Sequence, residues 1–274
     1  MTTDRPLPGG VGRRGLLAMG TLWQREVIRF VRDRHRLFGS VGQPLVFWLL
    51  VGSGLNASFQ PAGLGVSMSY LEYIYPGTLM LILLFTAIFS TISVVEDRRE
   101  GFMQSVLVSP VPRISIVLGK VMGGTTLALL EAVIFLAFAL SVDIPISPMS
   151  LVLTMGFLTL LALALTGLGF AIAWRMDSTA GFHAVMNLFL LPLWLLSGAF
   201  FPPTGGPWLL QWVVAANPLT YGMAGLRHVL YYEAPSRVGD VPGFQVCLWV
   251  TVAFALLMVL LGALIVRARE NSGR

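Results

Sequence analysis

The chain has 274 residues, of which 56% are hydrophobic and only 11% are charged. A soluble domain carries about a quarter charged residues, so this composition excludes an ordinary soluble protein. The mean hydropathy of +0.80 comes from apolar runs near the roughly 20 residues that a helix needs to cross a bilayer. The net charge of +5 is explained by basic loops beside anionic lipid headgroups and does not require nucleic acid as a partner.

The N-terminal residues 16–36 predict a helix that lies along the membrane surface. One stripe of side chains at helical spacing is apolar and contains a tryptophan, and a second stripe is basic, which is typical of an interfacial helix. The alternative is a basic flank that only fixes the topology. The apolar stripe is Leu16, Met19, Trp23, Val27 and Phe30, and the basic stripe is Arg25, Arg29, Arg32 and Arg36.

Six apolar runs follow and predict an all-α integral membrane fold. Lipid cannot satisfy free backbone groups, so each run must be a helix, and the sequence lacks the period-2 alternation of a membrane barrel. Sixteen of the 18 Lys and Arg residues fall on one side of the spans, which predicts that both termini are cytoplasmic. We expect the spans at residues 37–55, 73–95, 114–142, 149–174, 183–201 and 243–266.

The connection between the second and third spans, residues 96–112, changes character along its length. It opens with five consecutive charges and continues with an amphipathic piece, which Pro110 and Pro112 prevent from extending. The apolar side chains of Phe102, Val106 and Leu107 have no membrane to enter, so a short helix here suits a groove on a cytoplasmic partner. The alternative is a solvated loop that only fixes the topology. The five charged residues are Glu96, Asp97, Arg98, Arg99 and Glu100.

The connection before the last span contains two apolar pieces, Trp208–Ala216 and residues 219–232, separated by Asn217 and Pro218. Each piece is too short to span a membrane. We therefore predict a re-entrant helix pair over residues 203–232, with Gly205 and Gly206 as further breakers. Non-helical turns at membrane depth require shielding by protein or a water-filled cavity, which indicates an outer vestibule or gate. The alternative is two amphipathic helices that rest on the outer surface.

The sequence contains no phosphate-binding loop, no catalytic constellation and no pair of metal ligands at helical spacing. Glu131 is the one acid well inside a span, about 16 Å deeper than Lys120 at 1.5 Å per residue. A carboxylate there costs at least a few kcal/mol unless it is protonated or paired. It is therefore either a hydrogen-bonded packing residue or a proton relay or substrate contact. Asn187, in the fifth span, is expected to donate an interhelix hydrogen bond.

Two segments together resemble the permeases of ABC-2 type transporters. Residues 96–120 resemble the signature of that family, which has a charged cluster, a glycine, an amphipathic helix ending in Ser-Pro and a Gly-Lys pair that opens the third span. Residues 217–221 resemble its second recurring element. Phe102 departs from the family, which commonly carries Thr after Gly101. Within the family the chain is most similar to daunorubicin-resistance and nodulation-factor export permeases.

The resemblance implies one transmembrane domain over residues 1–274. The domain would be an exporter permease in the cytoplasmic membrane of a bacterium. Such a subunit is not an enzyme; it pairs with itself or a paralogue and works with two copies of a cytoplasmic ATPase that holds ATP and Mg. The cargo implied is an amphipathic drug, a lipid or a lipo-oligosaccharide. Two other functions stay open: a proton-coupled carrier that uses Glu131, and a subunit of a membrane complex that does not transport.

The resemblance also implies roles for particular residues. Residues 16–36 would be the connecting helix, and residues 96–111 the coupling helix that inserts into a groove of the ATPase. Asn217, Pro218 and Tyr221 would belong to the outer gate. The coupling residues implied are Glu96, Asp97, Arg98, Arg99, Glu100, Gly101, Phe102, Val106, Leu107, Ser109 and Pro110.

Overall fold

The computed structural model describes residues 11–55, 68–200 and 207–271, and these ranges contain helices and turns but no strand. Six of their helices are long and apolar enough to span a membrane, which confirms the predicted all-α fold with six spans. The α-helices in these ranges are α1 (Val11–Arg32), α2 (Arg34–Leu55), α3 (Tyr70–Arg99), α4 (Phe102–Val108), α5 (Arg113–Leu136), α6 (Pro148–Ala173), α7 (Thr179–Trp194), α8 (Trp208–Ala216), α9 (Pro218–Leu230) and α10 (Phe244–Asn271).

Helix α3 is the axis of the bundle. It is 30 residues long, or about 45 Å at 1.5 Å per residue, and it contacts α2, α5, α6, α7 and α9. In its apolar stretch 94% of the residues are buried within this one chain, against 22% for α2 and for the span formed by α7 and its extension. Helix α3 is therefore enclosed by protein, whereas α2 and α7 keep broad exposed faces.

Helix α1 packs along the start of α5, and two glycines permit the close approach. A Cβ atom on Gly119 would lie 2.8 Å from the Cβ of Leu22, and one on Gly123 would lie 2.7 Å from the Cβ of Glu26. The two glycines form a Gly-x-x-x-Gly pattern, which lets helix backbones approach within membranes. This contact was not predicted from the sequence. The helix starts at Val11, before the predicted residue 16, and ends at Arg32, so the predicted range 16–36 is partly wrong.

Other boundaries also differ from the predicted spans. Helix α3 continues to Arg99, past the predicted end at residue 95. Charged side chains of its last turn bind partners inside the protein, so this turn stays helical. The fifth span is regular only to Trp194. A π-helical turn, Leu195–Ala199, extends it, with Gly198 at φ 84°, a left-handed conformation that glycine adopts at little cost.

Candidate functional site

The segment predicted to contact a partner divides into two structural parts. Its first four charged residues form the last turn of α3, and the short helix α4 begins only at Phe102. Gly101 makes the turn between them at φ 78°, which favours glycine because a side chain is strained there. The guanidinium of Arg113 donates a 2.6 Å hydrogen bond to the carbonyl of Leu107 and so caps the end of α4.

Helix α4 presents one face to the bundle and one to the outside. Met103 is buried, and Phe102, Val106 and Leu107 are partly buried against the core. The outward face carries Val108, whose side chain is 86% exposed and is the most exposed of the large hydrophobic residues in the described ranges. Val108 was not among the predicted contact residues. The remaining exposed residues of the segment are Arg99, Glu100, Gln104, Ser105 and Pro110.

Beneath α4 lies a buried group of ionised side chains, which we call the charge cluster: Glu26, Asp97 and Lys120, with Arg25, Arg29 and Glu96 at its edge. The ammonium of Lys120 donates to Glu26 at 2.5 Å and also to Asp97. All three central residues are buried, and such charges are tolerated in an interior only when they are paired. Asp97 therefore faces the interior of the bundle and is not accessible to a partner.

Two arginines of α1 complete the cluster. Arg25 binds Asp97 through two hydrogen bonds of 2.7 Å, which raise the pKa of its guanidinium above the usual range. Arg29 bonds to Asp97 at 2.9 Å and to Glu96 at 2.7 Å. These two residues of the predicted basic stripe therefore bind carboxylates at the end of α3, which form strong charge-assisted hydrogen bonds with arginine. Ion pairs therefore join helices α1, α3 and α5.

Arg98 ties the same end of α3 to the connection between α6 and α7. It donates to the carboxylate of Asp177 at 2.8 Å and to the carbonyls of Trp174 and Met176. Of the five consecutive charges, Glu96, Asp97 and Arg98 therefore have partners within the chain. The other two are exposed.

Glu131 lies in a hydrogen-bonded contact among three spans. Ser40 of α2 donates to one carboxylate oxygen at 2.5 Å, and Thr86 of α3 donates to the other. Both oxygens are therefore satisfied by short hydroxyl side chains, which supports the packing alternative. Asn187 is exposed and has no hydrogen-bond partner among the described residues. The expected interhelix bond is not formed among the residues that the structure describes, because Met186 and Leu190 occupy the inward face of α7.

The residues predicted for the outer gate come together at the turn between α8 and α9. The side chain of Asn217 accepts from the backbone N–H of Leu219 at 3.0 Å and donates to the carbonyl of Leu193 at 2.7 Å, so it caps α9 and holds it to α7. Pro218 occupies the first turn of α9, where its missing N–H costs nothing. Tyr221 donates to the carbonyl of Ala215 at 2.9 Å. Residues 203–206 of the predicted pair lie outside the described ranges.

Side chains that the sequence analysis did not assign to this region also bind the irregular end of the fifth span. Trp194 donates to the carbonyl of Gly77 at 2.8 Å, and Tyr70 donates to the carbonyl of Phe200 at 2.9 Å. Arg227 and Tyr73 both donate to the carbonyl of Gly198. A tyrosine-rich start of the second span was the available signal, since tyrosine hydroxyls require partners when buried.

Comparison with known proteins agrees with this architecture. The ABC-2 type transporter family model matches residues 18–231. The ycf38 protein of Cyanophora paradoxa, named for a transport permease, is 28% identical over 218 residues, which cover 78% of this chain and 74% of the relative. Nodulation protein J of Rhizobium leguminosarum bv. trifolii is 25% identical over 258 residues, covering 93% and 95%. The inner membrane transport permease YadH of Escherichia coli K12 is 26% identical over 251 residues, covering 88% and 93%. The chain therefore belongs to the ABC-2 type transporter family of membrane permeases.

Proposed function

We propose that the chain is the permease subunit of an exporter that a separate cytoplasmic ATPase drives. The observation that carries the proposal is helix α4, which is short, exposes Val108 at its tip and is anchored from below by Met103. An exposed apolar residue on a charged, non-spanning segment is suited to a groove on a partner protein. ATP and Mg would bind to the ATPase and not to this chain.

The charge cluster gives α4 a mechanical connection to the spans. Arg25 lies over the ring of Phe102 at 3.9 Å and binds Asp97 at the end of α3. Force applied to α4 would therefore reach α1 and α3 directly, and α5 through Lys120. In this proposal the ATPase contacts the exposed residues of the segment, while the buried ones transmit the movement.

The exposed faces of α2 and α7 support assembly with a second permease, either another copy or a paralogue. Asn187 lies exposed in the fifth span, and an amide without a hydrogen bond is costly in lipid. Between the two faces, Phe85 and Phe89 of α3 stack with ring centroids 6.3 Å apart, and Phe89 contacts His183 of α7 at 5.8 Å. We propose that this largely apolar surface lines a pathway for an amphipathic or lipid-like molecule.

Association with the ATPase provides the test. The full-length chain would be co-expressed with candidate ABC ATPases from the same genome and purified through a tag on the permease. We expect wild type to retain one ATPase and Val108→Asp to lose it, because a carboxylate in an apolar groove has no partner. Val108→Thr, which keeps the shape of the side chain, is the matched control. If Val108→Asp retained the ATPase, α4 would not be the coupling helix.

The same preparation separates the other two functions. Reconstituted vesicles should export a fluorescent amphipath only when ATP and the ATPase are present, and the permease alone should not hydrolyse ATP. Export driven by a proton gradient without ATP would favour the carrier that uses Glu131. A stable complex with no transport of any amphipath tested would favour a non-transporting subunit.

A further inference from the structure

The irregular end of the fifth span is held at one backbone atom by two other helices. The carbonyl oxygen of Gly198 accepts a 3.1 Å hydrogen bond from the Nη2 of Arg227 in α9 and a 3.3 Å bond from the hydroxyl of Tyr73 in α3. The guanidinium carbon of Arg227 also lies 4.2 Å from the centroid of the Tyr73 ring. We call these three residues the Arg227 latch. It joins the predicted outer pair to the second and fifth spans.

The charge of Arg227 has no carboxylate partner in the part of the chain that the structure describes. Arg227 is only 5% exposed, and the segments outside the description between residues 56 and 206 contain no acid. Its Nε has no hydrogen-bond partner among the described residues. Burial of an incompletely paired cation is costly, and one carbonyl together with one aromatic face offsets only part of that cost.

Because the cost of burying Arg227 exceeds what its contacts offset, the contact can be released. When the guanidinium leaves the latch for water, it loses one hydrogen bond and one ring contact but recovers its hydration. The charge cluster at the other end of α3 differs, because every central charge there has an opposite charge within hydrogen-bond distance. The Arg227 latch is therefore a weaker attachment than the charge cluster at the end of α3 that carries α4.

Helix α3 connects the two places. Tyr73 and Asp97 lie about 36 Å apart along its axis at 1.5 Å per residue, and the helix between them is continuous although it contains Pro76. A shift of α3 produced at Asp97 would displace the ring on which Arg227 rests. Gly77 of α3 also packs closely against the π-helical turn at the end of the fifth span, since a Cβ on Gly77 would lie 2.5 Å from the carbonyl oxygen of Ala199. A shift of α3 would therefore also move this turn.

We propose that Arg227 is a positioning residue that keeps the outer pair, α8 and α9, closed against α3 and the end of the fifth span, and that its release opens the outer end of the pathway. The proposal rests on the proposed function for its role in export. The closed contact itself can be tested without an ATPase or a cargo.

The test measures how accessible the latch is to a water-soluble reagent. Ser197 is buried and lines a cavity of about 20 Å³ together with Gly198 and Arg227, so Ser197→Cys reports on opening when the native Cys247 is changed to Ser. The full-length chain would be labelled in membrane vesicles with a membrane-impermeant maleimide. We expect slow labelling in the otherwise wild-type reporter and at least tenfold faster labelling with Arg227→Met.

Two further variants separate the latch from general loosening. Tyr73→Phe keeps the ring but loses the hydroxyl, so its labelling rate should fall between those of the reporter and Arg227→Met. Arg237→Met removes another cation at the same end, one that binds Glu72 at 2.5 Å, and should label at the reporter's rate. Equal rates for Arg227→Met, Tyr73→Phe and the reporter would overturn the proposal, as would equally fast labelling of Arg237→Met.

The outcome is independent of the proposed function. Fast labelling of Arg227→Met without any ATP-driven export would support the latch and contradict the proposed exporter function. If the reporter exports in the presence of ATP but its labelling rate does not depend on Arg227, the exporter function is supported and the latch is contradicted. If both hold, wild-type labelling should accelerate when ATP and the partner ATPase are added, and the Arg227→Met rate should change little.

Discussion

The guanidinium of Arg25 lies 3.9 Å from the ring centroid of Phe102 and holds both oxygens of Asp97 through hydrogen bonds of 2.7 Å. One side chain of α1 thus contacts α3 and α4 at once. The family signature that this segment resembles commonly has Thr where this chain has Phe102. A threonine offers no ring to a cation, so the departure supplies an attachment of α4 that the usual residue could not make.

Replacing Phe102 should loosen α4 while leaving the bundle folded. Phe102→Thr removes a cation–π contact of about 0.5–2 kcal/mol, so a spin label at the exposed position Ser105→Cys, with Cys247 changed to Ser, should become more mobile in electron paramagnetic resonance spectra. Phe102→Tyr keeps the ring and should leave the spectrum unchanged. Identical spectra for the two variants would show that Arg25 does not position α4.

Removing the cation at the centre of the charge cluster should strongly destabilise the protein. Lys120→Met leaves Glu26 and Asp97 buried without their shared ammonium, and the loss of one partner from a buried pair costs about 3–5 kcal/mol. Thermal unfolding of the purified protein in detergent would measure it. Arg99→Met, at an exposed position, should shift stability by less than about 0.5 kcal/mol. A similar melting temperature for both variants would contradict the buried cluster.

The approach of α1 to α5 should fail when a branched side chain occupies the glycine at the contact. Gly123→Val would place its Cβ 2.7 Å from that of Glu26, so α1 must move away and Glu26 must leave Lys120. We expect trypsin to cleave after the arginines of α1 much faster than in wild type. Gly156→Val, where a Cβ meets nothing within 4 Å, is the control and should resist trypsin as wild type does.

Glu131 should tolerate an amide but not an apolar side chain. The amide oxygen of Gln can accept from one of the hydroxyls of Ser40 and Thr86, and its NH2 can donate to the other, so Glu131→Gln should retain both folding and ATP-driven export. Glu131→Leu removes two buried hydrogen bonds, which contribute about 0.5–1.5 kcal/mol each, and should lower the melting temperature. If Glu131→Gln abolished transport in a protein of unchanged melting temperature, proton transfer through this carboxyl would become the better explanation.

The spans were predictable because their length and apolarity are properties of contiguous sequence. The breaks at Gly101 and between Asn217 and Pro218 were predictable for a similar reason, since glycine and proline act locally. Helices α8 and α9 accordingly begin and end within two residues of the expected pieces. Their depth in the membrane remains a prediction, as does the cytoplasmic position of the termini.

Partnerships between distant residues were not predictable from these patterns. Asp97 was expected at a partner surface because the family resemblance implies a coupling helix there, yet its partners Arg25 and Lys120 lie on other helices. Arg227 was counted only as one of two outer basic residues. Its burial depends on the turn at Gly198 and on the ring of Tyr73, which no local pattern brings together.

The enclosure of α3 has a consequence for how the protein is made. Two of its buried hydroxyls donate to carbonyls of their own helix, as Thr78 does to Ile74 and Thr91 to Ala87. Such hydroxyls need no neighbouring helix to be satisfied. Helix α3 can therefore enter the bilayer during synthesis, before the later spans have left the ribosome. It can remain in contact with lipid until these spans assemble around it.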